Sequence, residues 1–213
     1  IPAVGDHNAG PQLITSGLID PGRSWWGRRP ITFAKQRFTA PRLDLDALDP
    51  KMQRWARRRL VPKVLIANQT KILEAVADPV GGVLPGVPVI SAYPTSDALE
   101  AATWEIAAVL TSPVASAWAW HRSAGTGLSA DAIRLGPVLL ADLPWPDGSL
   151  AAAVQQLRHG DVRSCGRAVH RAFGINDEAL VAWGEAPLFK IEALPPPTVT
   201  AAQAQQAGGV RGH

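Results

Sequence analysis

The chain has 213 residues, of which 46% are hydrophobic and 18% are charged. This length and composition suffice for one compact domain, or one domain with an appendage, and exclude a disulfide-stapled miniprotein and a wholly disordered chain. The net charge is only +3, but residues 1–71 carry 13 basic and 5 acidic side chains, whereas residues 72–213 carry 8 and 13.

Cysteine usage and hydropathy indicate the cellular setting. The single cysteine, Cys165, can form neither an internal disulfide nor a cysteine-rich metal cage, which predicts a reducing, cytoplasmic compartment. No apolar run approaches the roughly 18 to 20 residues of a membrane span, so we expect a soluble protein without a membrane partner. The first residues contain neither an initiator methionine nor a signal pattern, which indicates a piece of a longer polypeptide.

The first residues carry mostly strand and turn signals. A short β-prone run covers 13–16, and the tripeptide 20–22 has the residue types that favour a turn. The stretch 23–38 mixes cations with aromatic side chains and is poor in helix formers, which predicts loops and an edge strand.

A basic amphipathic helix is predicted over 51–60. Asp49 supplies a capping side chain, and Pro50 suits the first helical position. At about 100° per residue, apolar and cationic side chains fall on opposite arcs. The apolar arc contains Met52, Trp55, Ala56 and Leu60, and the cationic arc contains Lys51, Arg54, Arg57 and Arg58.

Beyond residue 62 the pattern changes to strands and then to helices. Strands are predicted over 63–69, 71–77, 87–93 and 133–140. Helices are predicted over 97–110, 113–121, 150–157, 162–173 and 176–183. The prolines of 143–146 end the regular region, because each removes a ladder donor.

Together these elements predict an α+β fold. A mixed, mostly antiparallel sheet with flanking helices is expected over 10–146. A small C-terminal helical extension should follow over 147–190, and a disordered tail rich in Pro, Ala, Gln and Gly over 191–213.

The chain lacks the common signatures of a catalytic site. None of its five histidines forms a helix-borne zinc-binding pair, and it has no nucleophile elbow, P-loop or Gly-x-Gly-x-x-Gly sequence. Cys165 and His170 are a conceivable nucleophile and base, but a buried structural cysteine is the more ordinary interpretation.

Two pairs of acids define a less favoured alternative, a metal-dependent nuclease. Asp44 with Asp46, or Glu74 with Asp78, are candidate Mg²⁺ ligands. Solvated surface acids would look the same in sequence, so we expect no metal site in this chain.

The segment 23–71 is the strongest functional signal, because it holds 13 cations and only three acids. Cations that neutralise phosphates release condensed counterions, so their clustering favours nucleic-acid binding. The competing interpretation of the helical cations is a solvated face. The predicted phosphate contacts are Arg23, Arg28, Arg29, Lys35, Arg37, Lys51, Arg54, Arg57 and Arg58.

A second group of residues is suited to bases. Amides and a cation follow the predicted strand over 63–69, where turn-forming polar residues would look identical. Two adjacent tryptophans favour either stacking on a base or packing in the core. The candidates for base readout or stacking are Trp25, Trp26, Asn68, Gln69, Thr70 and Lys71.

The order of these segments resembles the carboxy-terminal target-recognition region of adenine-N6 DNA methyltransferases of restriction-modification systems. The likeness lies in 13–22, in a Trp-Gly and Lys-x-Arg-Phe stretch, in 62–70, in the helical position 108–113 and in the Leu-Pro-x-Pro exit at 143–146. It covers about residues 11–146 and depends on order and spacing.

The resemblance implies a specificity module that holds double-stranded DNA. A methyltransferase catalytic domain, fused or separate, would flip the adenine and methylate it with S-adenosylmethionine. The family's catalytic Asn/Asp-Pro-Pro-aromatic tetrapeptide and its Gly-rich cofactor loop are absent from this sequence. We therefore expect no cofactor and no turnover in this chain alone. The alternative is a protein-interaction adaptor whose basic helix docks an acidic partner.

Overall fold

The computed structural model of the chain describes residues 3–6, 9–123 and 132–186. Over these residues the fold is α+β, as predicted. The strands are β1 (Val4–Gly5), β2 (Gln12–Ile14), β3 (Ile19–Asp20), β4 (Arg23–Ser24), β5 (Ile31–Phe33), β6 (Gln36–Phe38), β7 (Arg42–Leu43), β8 (Lys63–Ile66), β9 (Gln69–Thr70), β10 (Ala75–Asp78), β11 (Val83–Pro85), β12 (Ile90–Ala92) and β13 (Ile133–Arg134). The helices are α1 (Pro50–Arg57), α2 (Leu99–Leu110), α3 (Pro113–Ser123), α4 (Pro137–Ala141), α5 (Ala151–Arg158), α6 (Val162–Ala172) and α7 (Glu178–Glu185).

The chain divides into two compact units. The first unit consists of residues 1–68 and 74–107, and the second of 69–73 and 108–213. The domain boundary predicted after residue 146 falls inside the second unit. That residues 10–146 form the functional domain stays a prediction. The predicted tail over 191–213 lies outside the described residues.

Several small sheets are present where one sheet was predicted over 10–146. Strands run in the order β1-β7-β2-β11 in a four-stranded sheet and β10-β8-β12 in a three-stranded sheet. Pairs β3–β4 and β5–β6 are separate hairpins. Antiparallel pairing dominates, as predicted, and β11 with β2 is a parallel pair. Strand β8 lies between β10 and β12 in its sheet, and all four of its residues are buried.

Local signals placed the first turn and the first helix correctly. Gly22 has φ +67° in the two-residue turn between β3 and β4, a conformation that glycine adopts without strain, and Pro21 precedes it. Asp49 caps α1, and Pro50 is its first residue. One detail differs, because Met52 of the predicted apolar arc is 38% exposed.

The four strands predicted beyond residue 62 are wrong in extent. The strand predicted over 63–69 ends at Ile66, and the strand predicted over 87–93 is limited to Ile90–Ala92. The strand predicted over 71–77 begins only at Ala75, because the preceding pair Gln69–Thr70 forms a ladder with Ile133–Arg134. The strand predicted over 133–140 ends at Arg134, and α4 follows it. Pro137 lies at the start of α4, since its fixed φ suits a first helical turn.

Helices pack together in the second unit. The predicted start at residue 113 is confirmed, because the Ser112 Oγ accepts a hydrogen bond from the Ala115 N–H at 3.2 Å. Val114 and Trp183 belong to one apolar cluster that joins α3 to α7. The three predicted short helices are confirmed as α5, α6 and α7.

Within the part of the chain that the structure describes, no helix is long and apolar enough to cross a membrane.

Candidate nucleic-acid interface

Helix α1 presents its cations on one side and packs its other side in the first unit. The Asp49 Oδ1 accepts hydrogen bonds from the backbone N–H groups of Lys51 and Met52 at 2.8 and 3.0 Å. Ala56 is fully buried, and Trp55 packs against the same core cluster. The exposed side contains Lys51, Arg54, Arg57 and Arg58.

These four cations, which we call the cationic arc, have no acidic partner among the described residues. Their charge is therefore open to solution. Exposed guanidinium and ammonium groups bind phosphates in exchange for condensed counterions, and Arg adds a planar fork that matches two phosphate oxygens. The cationic arc is suited to the backbone of a nucleic acid.

Trp25 is held by contacts within its own unit. Its Nε1–H donates to the Asp20 Oδ2 at 2.5 Å. The guanidinium carbons of Arg23 and Arg29 lie 5.4 and 5.0 Å from the centre of its ring. The half-buried ring also packs against the core. These contacts favour packing over the stacking on a base that was the alternative.

Trp26 is fixed in a similar way. Its Nε1–H donates to the Pro41 carbonyl at 2.8 Å, and the Arg42 guanidinium lies 4.7 Å from the centre of its ring. The side chain is half-buried against the same core cluster. Both tryptophans thus hold the loop after β4 in place.

Arg29 binds inside the fold, although it was predicted to contact phosphate. Its terminal nitrogens donate to both carboxylate oxygens of Asp20 at 3.2 and 3.1 Å, and Nη1 also donates to the Gly17 carbonyl at 2.9 Å. A guanidinium fork that a carboxylate already occupies has little left for a phosphate. The neighbouring Arg28 is exposed, and no described residue pairs with its side chain.

The hairpin β5–β6 carries two further predicted phosphate contacts, Lys35 and Arg37, and both are exposed. Lys35 lies in the two-residue turn with φ +65°, and Ala34 before it has φ +49°. Two successive left-handed residues form the turn type that matches the twist of antiparallel strands. The side chains of Lys35 and Arg37 have no described ion-pair partner.

The predicted base readers at 68–71 are divided between the two units. Asn68 ends a segment of the first unit, and Gln69 begins one of the second. Thr70 donates its Oγ1–H to the Ile72 carbonyl, and the Lys71 carbonyl accepts from the Trp120 indole at 2.6 Å. Residues 69–71 are therefore shaped by bonds within the second unit, and the role of 68–71 in base readout stays a prediction.

The charge asymmetry of the sequence is smaller in the folded units. Acidic residues of 74–107 join the basic segment in the first unit, which holds 12 Lys and Arg against 10 Asp and Glu. The positive field is consequently a property of local surfaces such as the cationic arc rather than of the unit as a whole.

Glu74 lies near the hairpin β3–β4 and titrates close to neutrality. Burial raises the pKa of its carboxyl to about 7, the negative charge of Asp20 also raises it, and Arg29 opposes both effects. The charge beside the Asp20–Arg29 pair consequently changes around neutral pH.

Cys165 and His170 do not form a nucleophile and base. Burial raises the pKa of the Cys165 thiol to about 11, and its sulfur lies 3.9 Å from both the Thr111 Oγ1 and the Ala108 carbonyl. The His170 Nε2 instead accepts a hydrogen bond from the Asp177 N–H at 3.0 Å. A buried, protonated thiol is a structural residue.

The acidic pairs of the nuclease alternative do not converge on a metal site. The Asp44 Oδ1 accepts from the Asp46 N–H at 3.0 Å, as in a local turn. Asp78 forms a buried ion pair with Lys63. Over residues 3–6, 9–123 and 132–186, no group of three or more His, Cys, Asp or Glu side chains could hold a metal ion.

Three structural cations were not singled out by the sequence. Lys63 is buried, Arg42 stacks on Trp26, and the guanidinium of Arg59 lies 4.4 Å from the ring centre of Trp55. For Arg59 a signal existed, since i and i+4 side chains are neighbours on a helix. The partners of the other two are distant in sequence.

No protein-family model matches this chain, and no curated protein matches it significantly. Functional assignment therefore depends on the chain's own residues and their arrangement.

Proposed function

We propose that residues 10–146 bind double-stranded DNA and serve as the recognition module of an adenine-N6 DNA methyltransferase. The cationic arc of α1 carries the DNA-binding part of the proposal, because its four side chains are exposed and have no acidic partner among the described residues. Arg28 and Lys35 add exposed cations that are also unpaired in the described chain. Each phosphate that such a side chain neutralises strengthens binding at low salt.

The methyltransferase part of the proposal is supported by the order of segments over 11–146. In this arrangement a fused or separate catalytic domain binds S-adenosylmethionine and flips the adenine. The sequence lacks the catalytic tetrapeptide and the Gly-rich cofactor loop of that family. DNA binding by this chain should consequently be independent of the methyl donor.

Salt-dependent binding tests the DNA-binding part. Fluorescence anisotropy would follow the wild type and an Arg54→Ala/Arg57→Ala variant on a labelled duplex of about 20 base pairs, from about 50 to 200 mM salt. Loss of two phosphate contacts should reduce the slope of log K against log salt by about 2. The matched control is Arg158→Ala/Arg171→Ala, which removes the same charge from exposed positions beyond residue 146.

The two variants have opposite expected outcomes. The control should keep the wild-type slope, because its residues lie outside the proposed surface. Equal slopes for all three proteins, or no binding at low salt, would contradict the proposal.

Titration with polyglutamate in place of the duplex tests the alternative that the chain is a protein-interaction adaptor for an acidic partner. A duplex presents phosphates at a fixed, dense spacing, so we expect it to bind more tightly than the flexible polyanion. Tighter binding of polyglutamate would favour the adaptor and contradict DNA recognition.

A further inference from the structure

We infer that the hairpin β5–β6 reads base edges in the major groove of duplex DNA. This inference rests on the DNA-binding function proposed above and adds a reading element to it. It also changes the role of Arg37 from a phosphate contact to a base contact.

The hairpin is anchored on one face and open on the other. Ile31 and Phe38 are cross-strand neighbours, 9% and 8% exposed, and belong to the core of the first unit. The next pair, Thr32 and Arg37, is exposed. Since side chains alternate between the faces of a strand, this pair points away from the core. Its side chains have no described partner, so the outer face is available to a ligand.

The tip of the hairpin keeps a cation at a strained position. Ala34 and Lys35 both have positive φ, where Asn-Gly or Gly-Gly is preferred. Left-handed backbone is strained at non-glycine residues and is concentrated at functional sites. Lys35 thus retains its charge where a glycine would relieve the strain.

The dimensions and chemistry of the outer face match the major groove. Two strands about 4.8 Å apart fit a groove about 12 Å wide, which accepts a two-stranded ribbon. Arg37 provides the fork that grips guanine O6 and N7, and the Thr32 methyl suits a thymine. Positive charge on Lys35 complements the phosphates that line the groove.

Selection from a random duplex library tests the inference. The wild type should enrich a motif that contains guanine. Arg37→Ala should lose about 5- to 150-fold of discrimination at one or two positions, while its affinity for unselected duplex changes by less than about threefold. Arg57→Ala, on the cationic arc, should bind all duplexes more weakly and keep the wild-type motif.

Arg37→Lys separates readout from folding and charge. It keeps the cation but lacks the planar fork, so it should lose the guanine preference with an unchanged salt slope. The inference is overturned if the wild type binds duplex without any sequence preference, or if Arg37→Ala and Arg37→Lys keep the motif; DNA binding itself would then stand. Failure of the wild type to bind any duplex would overturn both proposals.

Discussion

Lys63 and Asp78 face each other on the antiparallel strands β8 and β10 and form an ion pair that is almost completely shielded from water. The Lys63 Nζ lies 2.5 Å from the Asp78 Oδ2, and the two side chains are 0% and 4% exposed. Nζ also donates to the Val61 carbonyl, and the carboxylate accepts from the N–H groups of Gly82 and Val83. Burial lowers the pKa of the Lys63 ammonium, and Asp78 opposes this effect.

Lys63→Met should lower the free energy of unfolding by about 3 to 5 kcal/mol, because it leaves the Asp78 carboxylate buried without a counter-charge. Lys63→Met/Asp78→Asn should be less destabilised than Lys63→Met, since the amide is neutral and its oxygen still accepts a backbone N–H. Urea unfolding measures both. If the unfolding free energy of Lys63→Met is within about 1 kcal/mol of the wild-type value, Lys63 and Asp78 do not form a buried ion pair.

Glu74 should make the protein less stable as the pH rises from 5 to 8. Its pKa is raised from 4.5 to about 7 by folding, so the native state binds more protons than the unfolded state between these values. The stabilising contribution is complete below about pH 4.5 and is lost as the pH rises through about 7. Between pH 5 and pH 8 the loss amounts to about 2 to 3 kcal/mol.

Glu74→Gln provides the test, because it removes the titrating group and nearly keeps its shape. The fall in unfolding free energy between pH 5 and pH 8 should be smaller in this variant than in the wild type by about 2 to 3 kcal/mol. Asp142→Asn removes an exposed carboxylate and should keep the wild-type fall. If Glu74→Gln also shows the wild-type fall in unfolding free energy, then folding does not raise the pKa of the Glu74 carboxyl.

Signals that act over a few residues were sufficient to predict the described helices other than α4, whose residues were predicted as part of a strand. Asp49 with Pro50 and Ser112 with Pro113 fix a helix start through a side-chain cap and a preset φ. Neither depends on the rest of the fold. The α+β class followed from the same local patterns.

Long-range pairing explains what the sequence did not predict. Lys63 opens an apolar run, and only its pairing with Asp78, 15 residues later, makes its burial possible. Arg29 was indistinguishable from Arg28 in sequence, because the hairpin β3–β4 is what brings Asp20 to it. The candidate interface could therefore be predicted as a basic segment, but not which of its cations are free.

Ala34→Gly should raise the free energy of unfolding by about 0.5 to 1 kcal/mol. Ala34 has φ +49°, and a glycine adopts this conformation without the clash that a Cβ causes. Ala47→Gly is the matched control, because Ala47 is exposed and its φ is not positive. The control should be neutral or destabilised in urea unfolding. Equal destabilisation of the two variants would mean that the turn is not left-handed at Ala34.

Gly184→Ala should destabilise the second unit by about 1 to 3 kcal/mol through overpacking. A Cβ at Gly184 would lie 2.4 Å from the Pro113 Cβ, closer than non-bonded carbon atoms approach each other. Gly17→Ala is the control, since Gly17 is exposed and a Cβ there would meet nothing within 4 Å. Thermal unfolding should show a lower midpoint for Gly184→Ala alone. A wild-type midpoint for Gly184→Ala would indicate that α3 and α7 can move apart without a loss of stability.

Arg28 and Arg29 should differ in function although they are adjacent. Arg28→Ala should reduce the slope of log K against log salt for duplex DNA by about 0.9 and leave stability unchanged, because its side chain is exposed and has no described partner. Arg29→Ala should keep the slope and lower the unfolding free energy by about 1 kcal/mol, since Arg29 pairs with Asp20. It should also raise the pKa of Glu74, which Arg29 lowers.

Anisotropy titrations and urea unfolding of the two variants measure these effects side by side. The expected pattern is a loss of binding without a loss of stability for Arg28→Ala, and the reverse for Arg29→Ala. If Arg29→Ala weakens DNA binding as much as Arg28→Ala, then the Asp20 pair opens in the complex and the guanidinium moves to a phosphate. The original prediction of a contact from both arginines would then be correct.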